Sequence, residues 1–237
     1  MITQVVGILG GMGPEATVDC FHKIVRSTRA ERDQDHLRVV IDSNAKVPDR
    51  TRAILGLGAS PLDALVESAT LLARAGAAFL VIPCVSAHVF LDDLRARVTI
   101  PILSIFDVVA EAIAAARPAV RTVGLLATTG TIAGGRFQPR LARDGVTTLV
   151  PDLADQDRVM TAICDIKNRQ PPRPRSAVTA DLVAVAEALI ARGAQAIVAG
   201  CTEIPLALGP DDLPTTYVDS VLVLARAAVA RAGGRLI

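Results

Sequence analysis

The chain has 237 residues, enough to bury a substantial core, and its 25 Lys and Arg against 24 Asp and Glu leave a net charge of +1. No broad field recruits nucleic acid or an anionic membrane, and with no Trp, one Tyr and five Phe a base-stacking surface is excluded too. The composition is 51% hydrophobic, yet Asp, Glu, Arg or Lys interrupts every long apolar stretch, so no membrane-spanning helix is expected.

Met1-Ile2-Thr3-Gln4 runs into a strand over residues 4–9 without a basic region or small-residue cleavage site, which points to a cytoplasmic protein. Gly10-Gly11-Met12-Gly13-Pro14-Glu15 follows, then a helix over 16–29. Gly11, Gly13 and Ala16 match a loose dinucleotide fingerprint, but the acid expected after the second strand, Asp42, comes late. Any glycine turn ahead of a helix can offer its amides to an anion. The second strand, 37–41, opens into a polar loop that ends at Arg50, whose guanidinium either grips a carboxylate or pairs with Asp42 or Asp49. A helix over 60–75, capped by Ser60 and stopped by Gly76, leads to a strand over 78–82 that delivers Cys84. A helix over 91–96 and a short strand over 100–105 complete a first unit.

A helix over 107–116 leads to a strand over 122–126, where Ala127-Thr128-Thr129-Gly130-Thr131 replaces the glycine loop. A further helix and strand fill 134–150, a short helix over 157–167 presents Lys167, and the proline-rich stretch 170–176 cannot be helical. A helix over 180–192 and a strand over 196–199 deliver Cys201-Thr202-Glu203. A last strand, 215–219, and helix, 221–231, return to the first unit. Alternating strands and helices predict an α/β chain of parallel sheets with right-handed crossovers. Two doubly wound domains are expected to face each other across a cleft: 1–104 with 212–237, carrying Cys84, and 105–211, carrying Cys201.

The halves look duplicated. Val6-Gly7-Ile8-Leu9 resembles Val123-Gly124-Leu125-Leu126, and 77 residues separate Gly7 from Cys84, as they separate Gly124 from Cys201. The same shift of 117 carries Leu65, Leu72 and Gly76 onto Leu182, Leu189 and Gly193, and Arg50 onto Lys167. A free thiol has a pKa of about 8.5, lower beside a cation or a helix N-terminus, so a cysteine at a strand outlet can carry a proton. Two such thiols related by a pseudo-twofold axis suit removal of a proton from one face of a carbon and delivery to the other. Cys20 and Cys164 read as packing, no CxxC pair occurs, and His22, His36 and His88 do not cluster, so reduced thiols and no metal are expected. His88 either orients a thiol or caps the next helix. Glu203 polarises Cys201, meets a substrate ammonium, or bonds to local backbone.

Gly10-Gly11-Met12-Gly13-Pro14, Pro83-Cys84-Val85-Ser86-Ala87-His88, Leu126-Ala127-Thr128-Thr129-Gly130-Thr131 and Gly200-Cys201-Thr202-Glu203 together resemble the cofactor-independent aspartate/glutamate racemase family over nearly the whole chain. The resemblance implies two α/β domains with the active site between them, a homodimer, and inversion of aspartate or glutamate by two bases with neither pyridoxal phosphate nor metal. It implies Cys84 and Cys201 as the proton-transferring pair and Arg50 and Lys167 as cations for the substrate carboxylates. Met12, Asn44, Val85, Ser86, Thr129, Thr131, Thr202 and Glu203 fall at its substrate contacts. That family follows its first cysteine with Asn-Thr; Val85-Ser86 keeps a hydroxyl and loses the amide, and Gly135-Arg136-Phe137 stands where a serine and tyrosine are expected. Either the substrate departs from ordinary aspartate and glutamate or turnover is slow. Two rival readings stand beside this one: a dicarboxylic-acid decarboxylase or isomerase of the same superfamily, and a non-catalytic dicarboxylate-binding protein.

Overall fold

A computed structural model describes residues 3–168, 170 and 172–237. In chain order the elements are β1 (Val6–Gly10), α1 (Pro14–Ser27), β2 (Val39–Ser43), α2 (Arg50–Ile54), α3 (Leu62–Arg74), β3 (Phe79–Val81), α4 (Leu91–Arg97) and α5 (Ile105–Ala115). There follow β4 (Thr122–Ala127), α6 (Thr129–Ala133), α7 (Phe137–Ala142), β5 (Thr147–Leu149), α8 (Leu153–Lys167), α9 (Arg175–Ala191), β6 (Ala196–Gly200), β7 (Thr216–Asp219) and α10 (Ser220–Arg231). The chain divides into two units, one running to Val108 and resuming over Val221–Ile237, the other spanning Val109–Ser220. Each holds one parallel sheet, ordered β2-β1-β3 in the first and β5-β4-β6-β7 in the second.

The duplication is visible in the register. Gly7 faces Leu80 across β1 and β3, and Gly124 faces Ile197 across β4 and β6, both pairs related by the shift of 117. Each glycine leaves room for that neighbour: a Cβ would lie 2.5 Å from Leu80 Cδ2 at Gly7 and 2.7 Å from Ile197 Cδ1 at Gly124. The helices before the cysteine strands end alike as well. The amide of Ala77 donates to Leu72 O after Gly76 at φ +92°, and that of Ala194 donates to Leu189 O after Gly193 at φ +101°, a left-handed stop that favours glycine. The two cores repeat the arrangement, α3 packing Leu65, Ala69 and Leu72 in the cluster that holds Cys84, and α9 packing Leu182, Ala186 and Leu189 in the cluster that holds Cys201.

Several expected elements differ. Residues 100–105 form a single bridge, Leu80 with Ile102, rather than a strand. Pro101 has no N–H to donate, and α5 already begins at Ile105. That bridge lies beside β3 as β7 lies beside β6. β7 belongs to the second sheet, so of the stretch 212–237 assigned to the first unit only Val221–Ile237 returns there. β2 starts two residues later than expected and holds Asp42 within the strand, opposite Leu9. Arg175 and Ser176 open α9, shortening the expected non-helical stretch, in which residue 171 lies outside the described residues, as do the first two residues of the chain. The shift of 117 also fails between the second and third strands of each half: Arg50 is the first residue of α2, whereas Lys167 is the last of α8.

No helix among the described residues is long and apolar enough to cross a membrane.

Candidate active site

In the first unit Cys84 lies just beyond β3, buried among the core residues Met12, Val47 and Ala87. Its amide donates to Ile82 O at 2.8 Å, and its sulfur is 3.5 Å from Ser86 Oγ. Val85 is buried, and Ser86 opens the one-turn 3-10 helix Ser86–Phe90. His88, expected to orient the thiol or cap a helix, does not cap α4. Its Nδ1 donates to the Cys84 carbonyl at 2.9 Å.

The glycine loop after β1 is explained by packing. The Gly11 amide donates to Thr17 Oγ1 at 2.8 Å, that hydroxyl donates to Gly13 O at 3.0 Å, and a Cβ on Gly11 would lie 2.3 Å from the Asn44 carbonyl carbon. Asn44 is held in turn, accepting from the Lys46 amide and donating to Ser68 Oγ. Arg50 bonds neither Asp42 nor Asp49. Its Nη1 donates to Val47 O and Pro48 O, its Nη2 donates to Met12 O at 3.3 Å, and its Nε is buried with no hydrogen-bond partner. Asp49 instead caps α2 by accepting from the Arg52 amide. Met12, Asn44 and Arg50 are thus joined at one place in the unit, with Met12 and Cys84 in one cluster.

In the second unit Cys201 follows β6 directly. Its Sγ–H donates to Glu203 Oε2 at 3.1 Å, Thr202 Oγ1 lies 3.3 Å from the same oxygen, and Lys167 Nζ is 3.4 Å from Oε1. Glu203 is buried while the Lys167 side chain is 38% exposed. Burial, and after it the charge of Glu203, pushes the Cys201 thiol well up, with Lys167 opposing. The resting Cys201 is therefore a thiol, the reverse of the lowered ionisation expected beside a cation.

The threonine loop is mostly self-satisfied. Thr128 caps α6 by accepting from the Thr131 amide, and the Thr131 hydroxyl is 3.0 Å from that of Thr128. Thr129 takes a bond from Gln156 Nε2, which also donates to Ala127 O. Gln156 escaped the sequence reading because no local pattern marks a polar residue on α8 as one that reaches back to the loop after β4. Of the other cysteines, Cys20 is buried on α1 as expected, whereas Cys164, read as packing, is exposed. All four cysteines are free, and among the described residues no His, Cys, Asp and Glu side chains group as a metal site.

The family model for Asp/Glu/Hydantoin racemase matches residues 9–228. An aspartate racemase from Picrophilus torridus superposes with a TM-score of 0.88 at 29% identity, covering 99% of this chain and 96% of its own. An aspartate racemase homologue from Pyrococcus horikoshii OT3 superposes at 0.75 with 25% identity, covering 98% and 100%. The broad specificity amino-acid racemase RacX of Bacillus subtilis is 26% identical over 237 residues, 95% of this chain and 96% of its own. With two parallel-sheet units, each releasing a cysteine from an equivalent strand, and a family match from β1 into α10, the chain belongs to the Asp/Glu/Hydantoin racemase family.

Proposed function

We propose that the protein is a cofactor-independent amino-acid racemase in which Cys84 and Cys201 are the two bases. The observation that carries this reading is the repeat itself: the two thiols sit at one equivalent position of two duplicated units, each in a different polar setting. Cys201, held as a thiol, is the proton donor of the resting enzyme, and Cys84 the acceptor. The Cys84 thiolate takes the α-proton, the electron pair left on carbon is spread into the substrate carboxylate, and the Cys201 proton is delivered to the opposite face. In the reverse direction the roles exchange. Arg50 and Lys167 stabilise the charge that develops on the carboxylate.

Acidic amino acids are the first candidates, because the Picrophilus relative is an aspartate racemase. A wider substrate range is favoured by Val85, whose buried side chain offers a substrate no hydrogen bond. The test is loss of the α-proton signal in deuterated water over a panel of amino acids that includes L-aspartate and L-glutamate. In the Cys201→Ser variant one enantiomer should still exchange its α-proton through Cys84 while inversion stops. Inversion persisting without either sulfur would remove the two-thiol mechanism and favour a decarboxylase or isomerase. Stabilisation by dicarboxylates with no exchange at all would favour a binding protein.

A further inference from the structure

We propose that His88 is a positioning residue for Cys84: its Nδ1–H holds the cysteine's carbonyl and thereby sets the direction of the thiol. The inference rests on the reading of Cys84 as a proton-transferring group.

Both peptide groups of Cys84 are tied down, the amide to Ile82 O at 2.8 Å and the carbonyl to His88 Nδ1 at 2.9 Å. With the backbone held on both sides, the thiol swings only about its own side-chain torsion. The ring that does the holding is itself confined. It is 2% exposed, stands edge-on to Phe106 with centroids 5.7 Å apart, and rests its Nε2 3.4 Å from Leu103 O. Leu103 is fastened to the strand that delivers Cys84, its amide donating to Leu80 O at 2.9 Å. Strand, Leu103, imidazole and cysteine therefore form a closed frame within one unit.

A neutral imidazole has one N–H, and the shorter contact assigns it to Nδ1. Burial keeps the ring neutral, its pKa lowered to about 4. The 3.4 Å approach to Leu103 is then a packing contact, and the bond to Cys84 is the one that carries the function.

Asparagine places an amide N–H where Nδ1 stands, glutamine reaches the place of Nε2, and leucine offers neither, so three variants separate the donor from the bulk. In His88→Leu and His88→Gln we expect kcat for α-proton exchange to fall by about tenfold or more with KM little changed, since a misdirected reacting group costs rate rather than binding. His88→Asn should stay within about threefold of wild type. The rate at which iodoacetamide alkylates Cys84, followed by peptide mass spectrometry, should change in the same order, with the exposed Cys164 as the internal reference. Wild-type behaviour of folded His88→Leu, or His88→Gln surpassing His88→Asn, overturns the proposal; if the leucine variant does not fold, the Asn and Gln pair decides. If wild type exchanges no amino acid, the racemase reading fails, while Cys84 alkylation across the variants still decides the positioning.

Discussion

Replacing Glu203 by Gln keeps the shape of the side chain and removes one buried negative charge from beside Cys201. In the native protein the thiol donates to Oε2 at 3.1 Å, and its ionisation is resisted by burial first and by that carboxylate second. A hydrogen bond to a charged acceptor contributes about 1.5–3 kcal/mol against about 1 for a neutral one. Loss of the difference, about 1 kcal/mol, favours the thiolate, and relief of repulsion between thiolate and carboxylate acts in the same direction. At 1.36 kcal/mol per factor of ten, the thiolate fraction at neutral pH should rise about tenfold. Alkylation of Cys201 by iodoacetamide, measured across pH and read by peptide mass spectrometry, should move to lower pH in the variant, with Cys84 unaffected. A profile that stays in place or moves to higher pH would refute the idea that Glu203 keeps Cys201 protonated.

The pH dependence of stability should carry the signature of His88. Burial, aided by Arg95, lowers its pKa from 6.5 to about 4 against the Cys84 and Leu103 carbonyls and Asp107. Because the folded value lies below the unfolded one, its contribution is full above pH 6.5 and is lost as pH falls to about 4, roughly 3 kcal/mol in all. Urea unfolding of wild type and His88→Asn across that window should show this slope only in wild type, and equal slopes would refute the assignment. Gly11→Ala should cost more than about 3 kcal/mol or prevent folding, since φ is +89° and the new Cβ would strike the Asn44 backbone at 2.3 Å. Gly56→Ala, at φ +73° with nothing within 4 Å, should cost only about 1 kcal/mol, and thermal denaturation of the two compares clash with strain. Val85→Asn should raise kcat/KM for aspartate and glutamate over neutral amino acids by about tenfold, the equivalent of one added hydrogen bond; an unchanged ratio would show that this position does not select the side chain.

Much of the frame was legible because it is written in short-range terms. Equal spacings from Gly7 to Cys84 and from Gly124 to Cys201 anticipated a register in which the glycines meet Leu80 and Ile197. Gly76 and Gly193 marked the helix ends, where the backbone turns left-handed. Where spacing was asked to say more, it misled. Arg50 and Lys167 are the same number of residues along their halves, yet one opens a five-residue helix and the other closes a fifteen-residue one. A count is kept when loops and helices trade lengths; an environment is not.

The sequence by itself determined the alternation of strands and helices, the repeat, and the pair of cysteines at strand outlets, because periodicity, glycine and proline act on neighbouring residues. Tertiary structure alone decided that β7 joins the second sheet, that Arg50 holds three backbone carbonyls, and that Glu203 accepts a hydrogen bond from Cys201 and pairs with Lys167. Those outcomes depend on which distant segments a sheet brings alongside one another, and on burial, which turns a thiol near a lysine into one that keeps its proton.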